Sequence, residues 1–474
     1  MKTTVNLKIK KTFILLACFC ALSLLCVGGA LRFNPNPDAY WLVATGRWIA
    51  RNRALPKTNP WCALPGLGVV VQQPLVALFN YAGAELWGRG PGDLWALAVV
   101  FNVVALFFVA HCSMVASDNR DRGWEGTALA LVLFEMFASA SGLTTTRPYM
   151  FSVSFFCATL SSLYNARRGG SAISLCAKSV LVGGAVVAVS SAASAPVAIV
   201  GASFFLGALM ERDWSTAGKT LAAGACFALG GAVCSFAAGQ GLSNFLYLAR
   251  SANAMKLVGA QISEMAPAKP FSACFILACA GVVFSVASLR KERFWAALLL
   301  LCSASTFAAQ RNAWMVVVAI VLASTRGRIS EVKVLYVAAL GACVGATLLA
   351  SGAKSQTPYK VFYAGLEDCV REAATRGPVF SDFNSGAYLE YAGVPCALDA
   401  RPELFSKEIG GTDLLERWFD ANYGEQNGAE FVKELGFSQA LVYTDSKIAR
   451  DLAASGWRRT GGNRFFSMFV LDHP

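Results

Sequence analysis

The chain has 474 residues, of which 55% are hydrophobic and 15% charged, and its net charge is +12. Soluble domains carry about 25% charge, and the apolar residues here come in runs near the ~20 needed to cross a bilayer, which excludes a soluble globular protein. The Lys and Arg sit in short clusters between those runs, a positive-inside pattern that argues against nucleic-acid binding. The two histidines, His111 and His473, nearly exclude a His-based metal site or a Ser-His-Asp triad.

Lys2, Lys8, Lys10 and Lys11 precede a first apolar run, Thr12 to Leu31, read as a retained helix because it is long for a signal sequence. An outer loop over residues 32–91 follows. Within it Trp41, Ala44, Trp48 and Ile49 fall on one helical face and Arg47, Arg51 and Arg53 mostly on the other, the pattern of a helix lying along a membrane surface. Residues 68–87 are apolar but hold Gln72, Gln73 and Pro74, and read as membrane-lying or partly dipping.

Further helices are expected near residues 93–112, 126–143, 149–164, 173–191, 196–210, 220–238, 271–289, 295–309, 313–324 and 334–350. With the first this makes a polytopic α-helical protein of about eleven spans. A cytoplasmic N-terminus gives every inside connection a basic pair, such as Arg167 with Arg168. It places Asp38, Arg147, Glu264, Arg311 and the tail outside. A transmembrane domain over 1–352 is thus followed by an extracytoplasmic domain over 353–474. In that tail, short apolar runs at 379–383, 396–400, 440–444 and 464–471 alternate with helical stretches at 359–376, 387–392, 412–422, 429–435 and 446–455, which argues a small α/β domain with a partly parallel sheet. Cys369 and Cys396 fall there, as a disulfide or as two free thiols.

Asp38 is the first candidate for chemistry. A carboxylate at the outer surface can serve as general base on an acceptor hydroxyl, or hold a divalent metal against a phosphate. After Pro37 it is equally placed to cap a helix. Arg147 and Arg311, in short turns beside apolar runs, can bind the phosphates of a lipid-linked donor bidentately or snorkel to headgroups. Glu135 and Lys178 are charges inside expected spans. In the tail, Asp382, Asn384, Asp399 and Arg401 sit in loops after strands, where α/β domains bind ligands. Turns and an Asp399–Arg401 pairing are the plainer reading.

Asn36-Pro37-Asp38-Ala39-Tyr40-Trp41, Thr45-Gly46-Arg47-Trp48-Ile49 and Pro56-Lys57-Thr58-Asn59-Pro60 together resemble the first outer loop of bacterial GT-C-type glycosyltransferases. Arg147-Pro148, Arg311-Asn312, the segment Ser381 to Leu389 and Asp399-Ala400-Arg401 resemble later motifs of that family. The resemblance implies a GT-C-like bundle that moves a sugar from a polyprenyl-phosphate carrier to a glycan, lipid or protein acceptor of the cell envelope. Asp38 would be base or metal ligand, with Arg47, Arg147, Arg311, Asn312, Gln72 and Gln73 binding substrate and the tail loops orienting the acceptor. Departures are Asn36 for an Asp, Leu42 for a His, and Gln72-Gln73-Pro74 for a His-Glu-Trp-like element. They raise the alternative of a degenerate member that binds a lipid-linked glycan or a partner without turnover. A transporter ranks last, since no inverted repeat is evident.

Overall fold

The computed structural model describes residues 37–87, 90–117, 146–261, 265–290, 292–324 and 362–472, with 127, 130, 131, 133–135, 137 and 138 between. The expected spans at 12–31 and 334–350, together with Asn36 and Glu264, lie outside the described residues. The helices are α1 (Asp38–Asn52), α2 (Pro74–Trp87), α3 (Trp95–Ala116), α4 (Tyr149–Arg167), α5 (Ala172–Val189), α6 (Ser194–Glu211), α7 (Trp214–Ala237), α8 (Tyr247–Arg250), α9 (Ala252–Gln261), α10 (Ala273–Ser288), α11 (Arg293–Ala308), α12 (Ala313–Ser324), α13 (Glu367–Arg376), α14 (Phe383–Ala392), α15 (Leu414–Tyr423), α16 (Gly428–Glu434) and α17 (Lys447–Ala454). The strands are β1 (Phe380–Ser381), β2 (Gln439–Tyr443), β3 (Arg458–Gly462) and β4 (Phe466–Val470).

Among the described residues the chain divides into two compact units: a helical one over 95–235 and 259–324, and a mixed one over 37–94, 236–258 and 362–472. In the helical unit, four helices are long and apolar enough to cross a membrane: Ala96–Ala116, Ala172–Val189, Ser191–Glu211 and Trp214–Ala237. Three shorter apolar helices, Ala273–Ser288, Arg293–Ala308 and Gln310–Ala323, accompany them. The core of this unit is α12, buried from Ala313 to Ala323, against α10 and α11. Helices α5 and α7 touch at a crossing where Gly183 meets the Phe227 carbonyl and Gly230 meets that of Val180, approaches that leave no room for a Cβ. Arg167 pairs with Glu211, and Arg293 donates to the Met210 carbonyl. The end of α4, the end of α6 and the start of α11 therefore share one basic end of the bundle. Arg147, before α4, and the Gln310–Asn312 turn, after α11, lie at the other.

The mixed unit has a four-stranded sheet in the order β1-β2-β4-β3, with β1 parallel to β2 and the other pairs antiparallel. Phe380, Leu441, Phe431 and Phe466 are fully buried at its centre. The run expected as a strand at 396–400 contributes only single bridges: Cys396 pairs in parallel with Val379 on one side and with Cys62 on the other. The first-loop segment around Cys62 thus extends the tail's sheet edge, with Ala63 N–H donating to Cys396 O and Cys396 N–H to Trp61 O, both at 2.8 Å. Cys62, Cys369 and Cys396 are free thiols, and Cys396 stands opposite Cys62 rather than Cys369. Burial pushes the Cys62 thiol up to about 11.

Helix α1 is buried from Ala39 through Gly46 and at Ile49, where α2 and the tail helix α14 pack on it, while Ala50 to Arg53 at its end are exposed. Tyr40 packs edge-on against Tyr363 and Tyr391, at 4.7 and 5.5 Å between ring centres. Gly46 sits so close to α2 that a Cβ would come 2.1 Å from the Ala77 carbonyl oxygen. Gly46→Ala is therefore expected to push the two helices apart and cost about 1–3 kcal/mol, read as a lower unfolding midpoint; an unchanged midpoint would mean the two helices move freely.

Candidate functional site

The site of the mixed unit is built by the segment Leu398 to Phe405, whose alternate residues Asp399, Arg401 and Glu403 each reach a different part of the first loop. Arg401 is only 2% exposed. Its Nε donates to Asp399 Oδ1 at 2.9 Å and its Nη2 to Asp399 Oδ2 at 2.5 Å. The same Nη2 donates to Glu390 Oε1 at 3.1 Å. The guanidinium lies 4.9 Å from the Trp41 ring centre and 5.5 Å from that of Trp61, a cation held between two first-loop indoles. Asn59 Nδ2 donates to Asp399 Oδ2 at 3.1 Å. Glu403 accepts from Gln72 Nε2 at 2.9 Å and from the Tyr247 hydroxyl. The backbone of Val71 is held by Gln240 and Asn244, so the third chain segment of the unit closes on the same loop.

One guanidinium here faces two carboxylates, with a third close by. Burial pushes Glu390 well above the usual carboxylate range, with Arg401 opposing the rise. Glu403 is raised by burial too, with the Tyr247 hydroxyl opposing. Burial thus favours the protonated form of both acids, and the Arg401 charge opposes this at each.

Asp38 occupies the first turn of α1. The cap position is Pro37, and it makes no side-chain capping bond, so Asp38 is not the N-cap that its place after Pro37 suggested. It is half-buried. Trp41 is three residues on and Thr45 seven, which puts all three on one stripe of the helix, and Trp41 is the ring beneath Arg401. The indole Nε1 of Trp41 and the hydroxyl of Thr45 are enclosed without a hydrogen-bond partner among the described residues. So is Oε1 of Gln73.

The other expected residues have these places. Arg47 donates to the Tyr391 carbonyl at 3.2 Å and lies over that ring, anchoring the end of α14. Asp382 caps α14: Oδ1 accepts from the Asn384 and Ser385 amides and Oδ2 from the Tyr443 amide at 2.8 Å. Asn384 Nδ2 donates to the Tyr443 hydroxyl at 2.6 Å. These two side chains fix β2 against α14. Asp399 and Arg401 form the buried pair just described. In the helical unit, Arg147 Nη1 donates to the Tyr149 hydroxyl at 3.3 Å. Asn312 Nδ2 closes the end of α11 on Ser305, at 3.1 Å to its carbonyl. Arg311 has no hydrogen-bond or ion-pair partner among the described residues. Glu135 is buried and accepts from Asn102 at 2.8 Å.

Glu390, Glu403, Asn59, Trp61 and Tyr247 were not legible as site residues. The only local signal was an acid, Glu390, inside the otherwise uncharged helix α14. Among the described residues no group of three His, Cys, Asp or Glu could hold a metal ion.

The buried acids fix a pH dependence. Burial raises Asp382 from 3.8 to about 6, against its backbone hydrogen bonds. Its folded pKa exceeds the unfolded one, so its share of stability is full below about 4 and lost as pH rises through about 6. Glu390 and Glu403 have the same sign. The mixed unit is expected to gain about 2–3 kcal/mol from Asp382 between pH 7 and the acid end of that window. Unfolding midpoints measured at pH 7 and 5 check this, and a lower midpoint at pH 5 would reverse the sign.

No family model and no curated protein matches the sequence. Solved structures do. The archaeal oligosaccharyltransferase AglB from Archaeoglobus fulgidus, in complex with an inhibitory peptide and a dolichol-phosphate, superposes with TM-score 0.60 at 13% identity, covering 98% of this chain and 75% of that one. An Archaeoglobus fulgidus oligosaccharyltransferase in the apo form gives 0.56 at 12%, covering 91% and 70%. ArnT from Cupriavidus metallidurans, bound to undecaprenyl phosphate, gives 0.47 at 12%, covering 96% and 97%. The oligosaccharyltransferases are glycosyltransferases of GT-C type, and the chain shares their fold.

Proposed function

We propose that this protein is a multi-pass membrane glycosyltransferase of GT-C type. It transfers a sugar from a polyprenyl-phosphate-linked donor to an acceptor of the cell envelope, on the outer face. What supports the reading is the fold shared over nearly the whole chain with an oligosaccharyltransferase solved with a peptide and a dolichol-phosphate. In this reading the N-terminus is cytoplasmic and the tail, residues 353–474, extracytoplasmic, where it orients the acceptor.

Asp38 is the general base. It takes the proton of an acceptor hydroxyl as that oxygen bonds to the anomeric carbon and the bond from that carbon to the phosphate oxygen breaks. The carrier leaves as its phosphate. Arg147 and Arg311 hold that phosphate, and Gln72 and Gln73 belong to the substrate-binding set. Arg311 suits its part because no neighbour among the described residues engages its fork.

The test uses the full chain in proteoliposomes, given polyprenyl-phosphate-linked sugars and envelope acceptors, with release of the free carrier phosphate as readout. The wild type is expected to release it, and Arg311→Ala to raise the KM for donor about tenfold, as loss of a charged hydrogen bond does. Donor binding without release under every acceptor would reject the transferase and leave the binding protein that Asn36 and Leu42 suggest.

A further inference from the structure

Helices α4 to α7 line a half-open cavity of about 490 Å³, well inside the range of small-ligand sites. It lies between the Gly183–Gly230 crossing and the basic end of α5 and α7, since its lining runs from Leu175 to Val182 on one helix and from Thr220 to Phe227 on the other. The walls are mainly apolar, with the hydroxyls of Thr159, Ser162, Ser179 and Thr220 among them. Lys178 is the only charged residue among the described lining, inside a helix apolar enough to span a bilayer.

Lys178 is exposed, and in a bilayer an ammonium carried by a spanning helix is costly without a counter-charge. Three of the neighbouring basic groups are engaged, while Arg212 at the end of α6 is exposed. Arg167 pairs with Glu211, Lys219 donates to the Ala166 carbonyl at 3.2 Å, and Arg168 donates to the Val115 carbonyl at 2.9 Å and lies over Tyr164. Lys178 has no hydrogen-bond or ion-pair partner among the described residues. A second polar group points the same way: the hydroxyl of Thr159, on the α4 wall, is enclosed and has no hydrogen-bond partner among the described residues. The cavity therefore offers an apolar slot with one cation at its mouth and an unused hydroxyl in its wall.

We propose that this cavity binds one acyl chain of an anionic glycerophospholipid, whose phosphate pairs with Lys178. Lys178 is the seventh residue of α5, about 10 Å along the helix from its start. A lysine stem can reach from there toward the headgroup layer. That layer is marked by the basic residues at this end, and basic side chains there attract anionic lipid. The crossing bounds the slot at its inner end, which suits a single acyl chain better than a long polyprenyl chain. The assignment stands apart from the proposed transferase activity.

Two substitutions separate the slot from the charge. Gly201 and Gly224 line the cavity, and a Cβ at either meets nothing within 4 Å. Gly201→Leu therefore starts its side chain in open space within the slot, on a residue that is a better helix former than glycine. The experiment reconstitutes the full chain in nanodiscs with phosphatidylglycerol carrying a photoreactive group on its acyl chain. Labelled peptides are then read by mass spectrometry. Labelling is expected within α4 to α7, to fall about fivefold in Lys178→Gln, and to vanish in Gly201→Leu at an unchanged unfolding midpoint. Equal labelling by the phosphatidylcholine analogue would overturn the charge assignment. Undiminished labelling in Gly201→Leu would overturn the slot. Displacement by polyprenyl phosphate but not by excess phosphatidylglycerol would reassign the cavity to a carrier lipid and overturn the proposal.

Discussion

Replacing Arg401 with methionine is expected to destabilise the mixed unit by about 3–5 kcal/mol, the cost of leaving buried carboxylates without their cation. In a unit of this size that lowers the unfolding midpoint by roughly 10 °C. The reason is geometric. Asp399 and Glu390 are each no more than 1% exposed, and the arginine fork is what both of them face. The methionine would still fill the space between Trp41 and Trp61, so the loss reports on charge rather than on a cavity. Arg401→Lys should fall between the two, keeping the charge without the planar fork and the stacking. The triple variant Arg401→Met, Asp399→Asn, Glu390→Leu should recover most of the stability, since a buried ion cluster replaced as a whole by uncharged groups costs little. Tryptophan fluorescence during denaturation reads all three. A triple variant no more stable than the single one would mean that the cluster is not what ties the first loop to the tail.

The cluster also shows where sequence reading stops. Strands β2 and β4 were legible because each falls in a short, mainly apolar run bounded by turns, Gln439–Tyr443 and Phe466–Val470. Strand β3 was not, because Arg458-Arg459-Thr460-Gly461-Gly462 carries no alternation; it is an exposed edge with a register shift at Gly461, and its charges protect that edge. The faces of α1 were legible, but what covers them was not. An apolar stripe beside three arginines looks the same whether its partner is lipid or a helix far along the chain. Here Arg47 reaches Tyr391, 344 residues away. Asp399, Arg401 and their sequence neighbours were visible as a polar loop after an apolar run. That Glu403 would face Gln72 and Tyr247 was not, because no local spacing records a pairing across 331 residues.

Asp38→Asn is the substitution with the largest expected effect on activity. The helix that carries Asp38 is packed against α2 and α14, and the turn below it bears the indole that supports Arg401. The acid is therefore presented from a rigid element, as a positioned base must be. Asparagine has the same shape and cannot accept a proton, so binding and folding should survive while proton transfer is lost. The most direct measurement is the single-turnover release of carrier phosphate by Asp38→Asn at saturating lipid-linked donor. The expected result is wild-type donor affinity with release slowed at least about a hundredfold. Release at the wild-type rate would contradict the assignment of Asp38 as the base.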